Sequence, residues 1–483
     1  MTKFLKFIFA FFVLLLPLLK LHNNNYNYFD FGIYLRNIYH LQNNINYMFE
    51  GHVQPFTYFY SLFLYIIPFD LLPVLMVLSQ SFVVIYVAFK IDKLFGRVNF
   101  VTFILYIPIW TLVLVDFHYE FFLLLIILNF YLNIENNNYL ISFFWILSSL
   151  LIKEIYSLLL ISSSFIYLYL SFNPNNKLDK FILRVFAISL FLIGVLYFLI
   201  SYLYIIPLYG GSDSGFGFDS TTFLIDDLKL DSLLNNNFIH IIFESIRFDF
   251  INKFKFFLLI FYPLIFFFQK KKNLRYILLT SPFFLISLVS VLPNHHDIFS
   301  HYTTVFIMPV ILMSGTLSKF YILNSSRSLK YTYFLYLLIF NILFSISPLS
   351  RLFFSDKSFE FNFNRYLFEN HESKFDNLIC DNFDLNNNYI VQNNFNFLCL
   401  AKSNTYLPFP EGLSNLTSKN NADTFVILNT KRPLFILDKG CSYINGICTN
   451  QNIENIYYDF LKYKLGNIQP IYNYNGALIY KLH

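Results

Sequence analysis

The feature that most constrains this chain is the gathering of its apolar residues into eleven runs. They lie at 4–21, 71–89, 100–115, 121–132, 139–152, 155–170, 181–206, 254–268, 276–292, 303–322 and 331–347. About 20 apolar residues in a helix cross a hydrocarbon core of about 30 Å, so runs of this kind belong in a membrane. The composition agrees: charged residues make up 13% of the chain, against roughly a quarter in soluble proteins. With 65 Phe and 37 Tyr, a disordered chain, a coiled coil and a collagen-like repeat are excluded. The net charge of +5 sits mostly in short loops and leaves no footprint for nucleic acid. The expected fold is an α-helical polytopic membrane protein of about eleven spans embedded in a lipid bilayer, over residues 1–350.

The first run has a core, 7–19, only as long as that of a signal peptide. No small residues follow it, so it is expected to stay as a span, with Lys6 and Lys20 snorkelling to the two surfaces. Residues 54–69 are apolar but short and bounded by Pro55 and Pro68, and are expected to lie on the surface. Charge bias supports this count. With the N-terminus cytoplasmic, the inner loops hold Lys90, Lys93 and Arg97, then Lys177, Lys180 and Arg184. They also hold Lys270, Lys271, Lys272 and Arg275, then Arg327 with Lys330. An excess of Lys and Arg marks the cytoplasmic side.

Residues 351–483 are different material, rich in charge, Asn and Pro. Alternation at 424–428 and 477–481 predicts strands, and apolar spacing at 451–465 predicts a helix, giving a small α/β domain placed outside by span parity. All four cysteines fall there, which suggests disulfides in an oxidising compartment. Of the three pairings, Cys380 with Cys399 and Cys441 with Cys448 is preferred. The Asn runs at 23–25, 136–138 and 386–388 fit an AT-rich composition and carry no function.

Ionisable residues near membrane depth are functional candidates, and the notable ones share the outer face. Asp30 and His52 lie in the first outer loop, Asp116, His118 and Glu120 in the next turn, and Lys153-Glu154 in the one after. His295, His296, Asp297, His301 and Tyr302 precede the tenth run. Each also has a structural reading. Asp30 suits a helix cap, and Asp116 and Glu120 suit a helix N-terminus. Lys153 and Glu154 suit an ion pair. His295, His296 and Asp297 are candidates for a divalent metal or for a hydrated turn. Gly210 to Ser220 is most simply a mobile loop, and alternatively one that folds over a substrate.

A carboxylate near a hydroxyl can act as base for attack on an electrophilic carbon, and imidazole, Lys or a metal can neutralise a departing phosphate. This is glycosyl transfer from a phosphate-linked sugar, and an aromatic membrane body suits a lipid leaving group. A transporter or flippase of a lipid or polar solute is the alternative, disfavoured by span centres nearly free of charge and by the lack of an internal repeat. A non-catalytic scaffold for the outer domain is the third reading.

Seven short segments resemble an uncharacterised prokaryotic multi-spanning membrane family, a domain of unknown function grouped with the GT-C glycosyltransferases. They are Phe29-Asp30-Phe31-Gly32-Ile33-Tyr34, Gly51-His52 to Pro55, Asp116-Phe117-His118, Lys153-Glu154, and His301-Tyr302 before Pro309. Leu400-Ala401-Lys402 to Pro410 and Ala422-Asp423-Thr424 to Pro433 complete the set. The resemblance implies an inverting GT-C-like enzyme of a bacterial inner membrane, using a polyprenyl-phosphate sugar donor at the periplasmic face, with the acceptor unspecified. Asp30 would be the base, Asp116 with Glu120 the second acidic motif, and His118 or His301 a phosphate contact. The expected site thus has Asp30, Asp116 and Glu120 as catalytic residues. Its substrate-binding residues are His52, His118, Lys153, Glu154, His296, His301 and Tyr302.

Overall fold

A computed structural model describes residues 2–22, 31–49, 52–115, 117–172, 177–209, 238–267, 274–290, 293–322, 326–353, 379–381, 384, 386–392, 398–403, 405–409, 423–429, 443–444, 447–448, 469–474 and 477–482. These are mostly helical, with a small C-terminal sheet.

Four helical stretches among the described residues are long and apolar enough to cross a membrane: Lys3–His22, Phe69–Phe95, Glu154–Ser171 and Lys180–Leu208. A fifth is reached if the pair Arg97–Leu105 and Ile107–Leu114, bent by 55°, counts as one broken span. Eleven were expected. The difference comes from apolar runs whose helices are short, and from one run that is bent within itself. Tyr139–Leu151, Arg275–Val289 and Thr304–Lys319 are apolar but shorter than a span of that test. The 14-residue helix Phe122–Glu135 reaches only about 21 Å at the helical rise.

The breaks have local causes. The helix Leu72–Phe95 ends at Gly96, whose φ of 83° lies where a side chain is strained. Tyr106 is extended ahead of Pro108, which has no N–H and crowds the carbonyl of Ile104. The freed carbonyls are bonded by side chains: Trp110 Nε1 donates to Ile104 O at 2.8 Å, while Tyr262 Oη and Asn341 Nδ2 donate to Leu105 O at 2.8 and 2.9 Å. Asn137, with φ 58°, separates Phe122–Glu135 from Tyr139–Leu147. Lys153 is extended between the 3-10 turns Ser148–Leu151 and Glu154–Tyr156.

Lys20 does not snorkel. It is 1% exposed and donates to the carbonyls of Leu114 and Val115, where Ile107–Leu114 ends. A cation there meets the negative end of the helix dipole. Lys6 instead pairs with Asp92. The stretch at 54–69 forms the eight-residue helix Phe56–Phe63, too short to cross. Close packing joins Ser157–Ser171 to Lys177–Ile200, where a Cβ on Gly194 would lie 2.9 Å from Ser157 O, as small residues permit between membrane helices.

The C-terminal sheet has the order β2-β1-β3-β7-β6. Its strands are β1 Asn388–Gln392, β2 Thr405–Phe409, β3 Thr424–Asn429, β6 Pro470–Tyr474 and β7 Ala477–Leu482, with β4 Tyr443–Ile444 and β5 Ile447–Cys448 forming a separate hairpin. β1 runs parallel to β2 and β3, and β7 antiparallel to β3 and β6. Both expected strands are present. The helix expected at 451–465 lies outside the described residues. Cys380 and Cys399 form a disulfide with Cα atoms 5.7 Å apart, as preferred. Cys441 lies outside the described residues, and the second expected pair with it.

The sheet domain touches the membrane body through the turn Leu398–Lys402. His40 Nε2 donates to Ser403 O at 3.0 Å, and Lys402 Nζ lies 3.0 Å from Asp70 Oδ1 and 5.0 Å from the centre of the Phe69 ring. The helix beneath is Ile33–Leu41, whose buried face includes Tyr34 and Leu35.

Candidate functional site

Two helix breaks are built alike. His118 is extended and leads into the 3-10 turn Tyr119–Phe121, which continues as Phe122–Glu135. Lys153 is extended and leads into Glu154–Tyr156, which continues as Ser157–Ser171. Each turn carries one acid, Glu120 or Glu154, at a helix start whose free N–H groups favour negative charge. Each acid is buried, at 1% and 0% exposure.

The two acids differ in what holds them. Glu154 Oε1 accepts from His52 Nδ1 at 2.8 Å and Oε2 accepts from the Val53 backbone N–H at 2.9 Å. The Tyr202 hydroxyl adds a long contact to Oε1 at 3.5 Å. Its hydrogen-bonding side chain is thus the His52 imidazole, with the charge of Lys153 nearby. Neither carboxylate oxygen of Glu120 has a hydrogen-bond partner among the described residues. Its nearest basic atom is His118 Nδ1 at 3.8 Å. That same nitrogen lies 3.5 Å from the Tyr34 hydroxyl, which places the helix Ile33–Leu41 against this turn.

A third turn, at 293–303, closes on the other two. Lys153 Nζ sits 5.9 Å from the centre of the Tyr302 ring, a cation–π contact. Tyr302 in turn meets His295 edge to face at 4.5 Å. His295 Nδ1 lies 2.7 Å from Ser290 Oγ, and His296 Nε2 donates to Asp249 Oδ2 at 3.0 Å. Burial, with Lys153 and His296 nearby, lowers the His295 pKa to about 4, so this imidazole is neutral at neutral pH. Tyr156 is within electrostatic range of Glu120, Tyr302, Tyr34 and Glu154, and Tyr202 of Glu154 and Tyr302. The cluster is continuous.

Of the expected site residues, the structure brings together His52, His118, Glu120, Lys153, Glu154, His296 and Tyr302. Asp30 and Asp116 lie outside the described residues, as does Gly210 to Ser220. His301 begins the 3-10 turn His301–Thr303, but its side chain is outside them as well. The expected His295, His296 and Asp297 ligand set does not form. The two imidazoles bond to different partners, and the exposed Asp297 caps the Phe299 N–H at 3.0 Å. Among the described residues no three His, Cys, Asp or Glu side chains are grouped to hold a metal.

Four members of the cluster escaped the sequence reading, Tyr156, Tyr202, Asp249 and Ser290, and Tyr34 entered it only within the segment 29–34. Asp249 carried a signal, being an acid among Phe248, Phe250 and Ile251. The tyrosines carried none in a chain with 37 of them. No family model, no curated protein and no solved structure matches this chain.

Proposed function

We propose that the chain is a GT-C type glycosyltransferase, moving a sugar from a polyprenyl-phosphate donor to an acceptor at the face where these turns meet. In this reading the membrane is the bacterial inner membrane, crossed about eleven times with the broken and shorter helices counted. The N-terminus is cytoplasmic and the C-terminal domain periplasmic. The observation that carries the proposal is Glu120, a buried carboxylate without a hydrogen-bond partner among the described residues, set beside His118. A buried group left in that state is costly to the fold and marks a place reserved for chemistry.

In the proposed reaction the acceptor oxygen bonds to the anomeric carbon as the bond from that carbon to the phosphate oxygen breaks. The electron pair leaves with the lipid phosphate, and the hydroxyl proton passes to Asp30. Glu120, with Asp116, faces the oxocarbenium-like centre, whose positive charge a nearby carboxylate stabilises. Lys153, His118 and His301 receive the phosphate. His52 and Glu154 brace the first outer loop against the third.

Native mass spectrometry of the purified protein with short-chain polyprenyl-phosphate sugars tests this. Wild type is expected to bind the donor and release free polyprenyl phosphate, while Asp30→Asn and Glu120→Gln bind without release. If wild type retains no such lipid, the proposal is wrong, and transport or scaffolding takes its place.

A further inference from the structure

Asp249 and His296, one on each of two separate turns, meet in an arrangement the reaction above does not use. Asp249 stands between the helices Phe238–Arg247 and Phe250–Ile265, with φ at 54°. A non-glycine residue in that left-handed region carries strain of about 1 kcal/mol, and such residues concentrate at functional sites. The strain comes with a carboxylate held at both oxygens. Oδ1 accepts from Asn252 Nδ2 at 2.7 Å and Oδ2 from His296 Nε2 at 3.0 Å.

Because the carboxylate oxygen accepts, Nε2 carries the imidazole hydrogen, and a neutral ring then has its lone pair on Nδ1. The His296 side chain is 2% exposed, and its Nδ1 is buried with no hydrogen-bond partner among the described residues. A buried acceptor in that position calls for a donor, and leaving it without one costs about 1–3 kcal/mol. The neighbouring His295 is already engaged by Ser290. Through its contact with Tyr302 it connects the pair to Lys153.

We infer that His296 Nδ1, its tautomer set by Asp249, is the hydroxyl-recognising group of a sugar subsite beside Lys153 and Tyr302. This rests on the transferase reading and divides its site: phosphate toward Lys153, sugar hydroxyl toward His296. An acceptor nitrogen selects a hydroxyl donor and has nothing to offer a fully ionised phosphate oxygen, which only accepts. His296 is therefore a specificity residue.

Two probes separate these roles: farnesyl phosphate carrying a hexose, and farnesyl phosphate alone. Their affinities are measured on the full chain for wild type, His296→Phe and Asp249→Asn. His296→Phe keeps a ring but removes the acceptor. Asp249→Asn can offer its own N–H to Nε2, which moves the imidazole hydrogen to Nδ1 and turns an acceptor into a donor. Both variants are expected to bind the hexose-bearing probe about tenfold more weakly, the loss of one buried hydrogen bond. Farnesyl phosphate alone should bind as to wild type, which also shows that the variants are folded. An equal loss for both probes, or no loss for either, overturns the assignment. If wild type binds neither probe, the transferase reading fails and takes this assignment with it, a result visible before any substitution is made.

Discussion

His52 Nδ1 and Glu154 Oε1 are 102 positions apart in sequence and 2.8 Å apart in space. The pair ties the segment 52–54 to the turn Glu154–Tyr156, and the adjacent Val53 N–H fills the second carboxylate oxygen. His52→Ala leaves a fully buried carboxylate with that backbone donor and the long Tyr202 contact. A loss of about 3 kcal/mol is expected, the lower end for removing one partner of a buried pair. Glu154→Gln should recover part of it in the double variant, giving a coupling of about 1 kcal/mol in a thermal-unfolding cycle. Additive losses would mean the two residues act separately.

Glu120 presents the opposite case. Its carboxylate meets no hydrogen-bond donor among the described residues, so a neutral amide of the same shape should suit the site better. Glu120→Gln is expected to raise stability by about 1 kcal/mol, roughly 2 °C in Tm, while ending turnover of a lipid-phosphate sugar. Such an exchange of stability for activity is the mark of a functional site. A variant that melts lower than wild type would assign Glu120 to the fold instead.

His295 makes stability depend on pH. Its pKa falls from 6.5 to about 4 on folding, so between those values the unfolded chain binds a proton that the folded chain refuses. Stability is therefore unaffected above pH 6.5 and is lost as pH falls toward 4, by at most about 3 kcal/mol. His295→Gln should flatten Tm between pH 7 and pH 5. A slope unchanged in the variant would assign it to other groups.

The Cys380–Cys399 disulfide lies in the turn that docks on the membrane body. Its partners are 19 positions apart, so reduction should cost about 3 kcal/mol of local stability. Hydrogen exchange with and without reductant should then show faster exchange at Leu398–Lys402 and on the helix Ile33–Leu41. Protection unchanged at Ile33–Leu41 would show that the helix holds its place without the domain.

The site was legible where polarity contrasts with its surroundings. Glu120, Lys153, Glu154 and the imidazoles interrupt apolar runs, and membrane energetics picks them out. Tyr156 and Tyr202 could not be picked out, since a tyrosine in an apolar helix looks the same whether its hydroxyl meets Glu154 or lipid. Asp249 was missed because its partner His296 lies 47 positions away, and Arg247 and Lys253 nearby make it look like an ordinary charge at the end of a run. The helical body and two strands followed from periodicity. Helix length within each run was not legible: Pro108 breaks the run at 100–115 without lowering hydropathy, and side chains such as Trp110 and Asn341 bond the carbonyls thus freed.

The contact between His40 and Ser403 also sets an order of assembly. The two residues are 363 positions apart, roughly 20 to 70 s of synthesis at about 5–20 residues per second. Through that interval the helix Ile33–Leu41 is in place with its docking partner unmade. Tyr34 on the same helix reaches His118, so one short helix joins the cluster around Glu120 to a contact that can form only after residue 403 has been made.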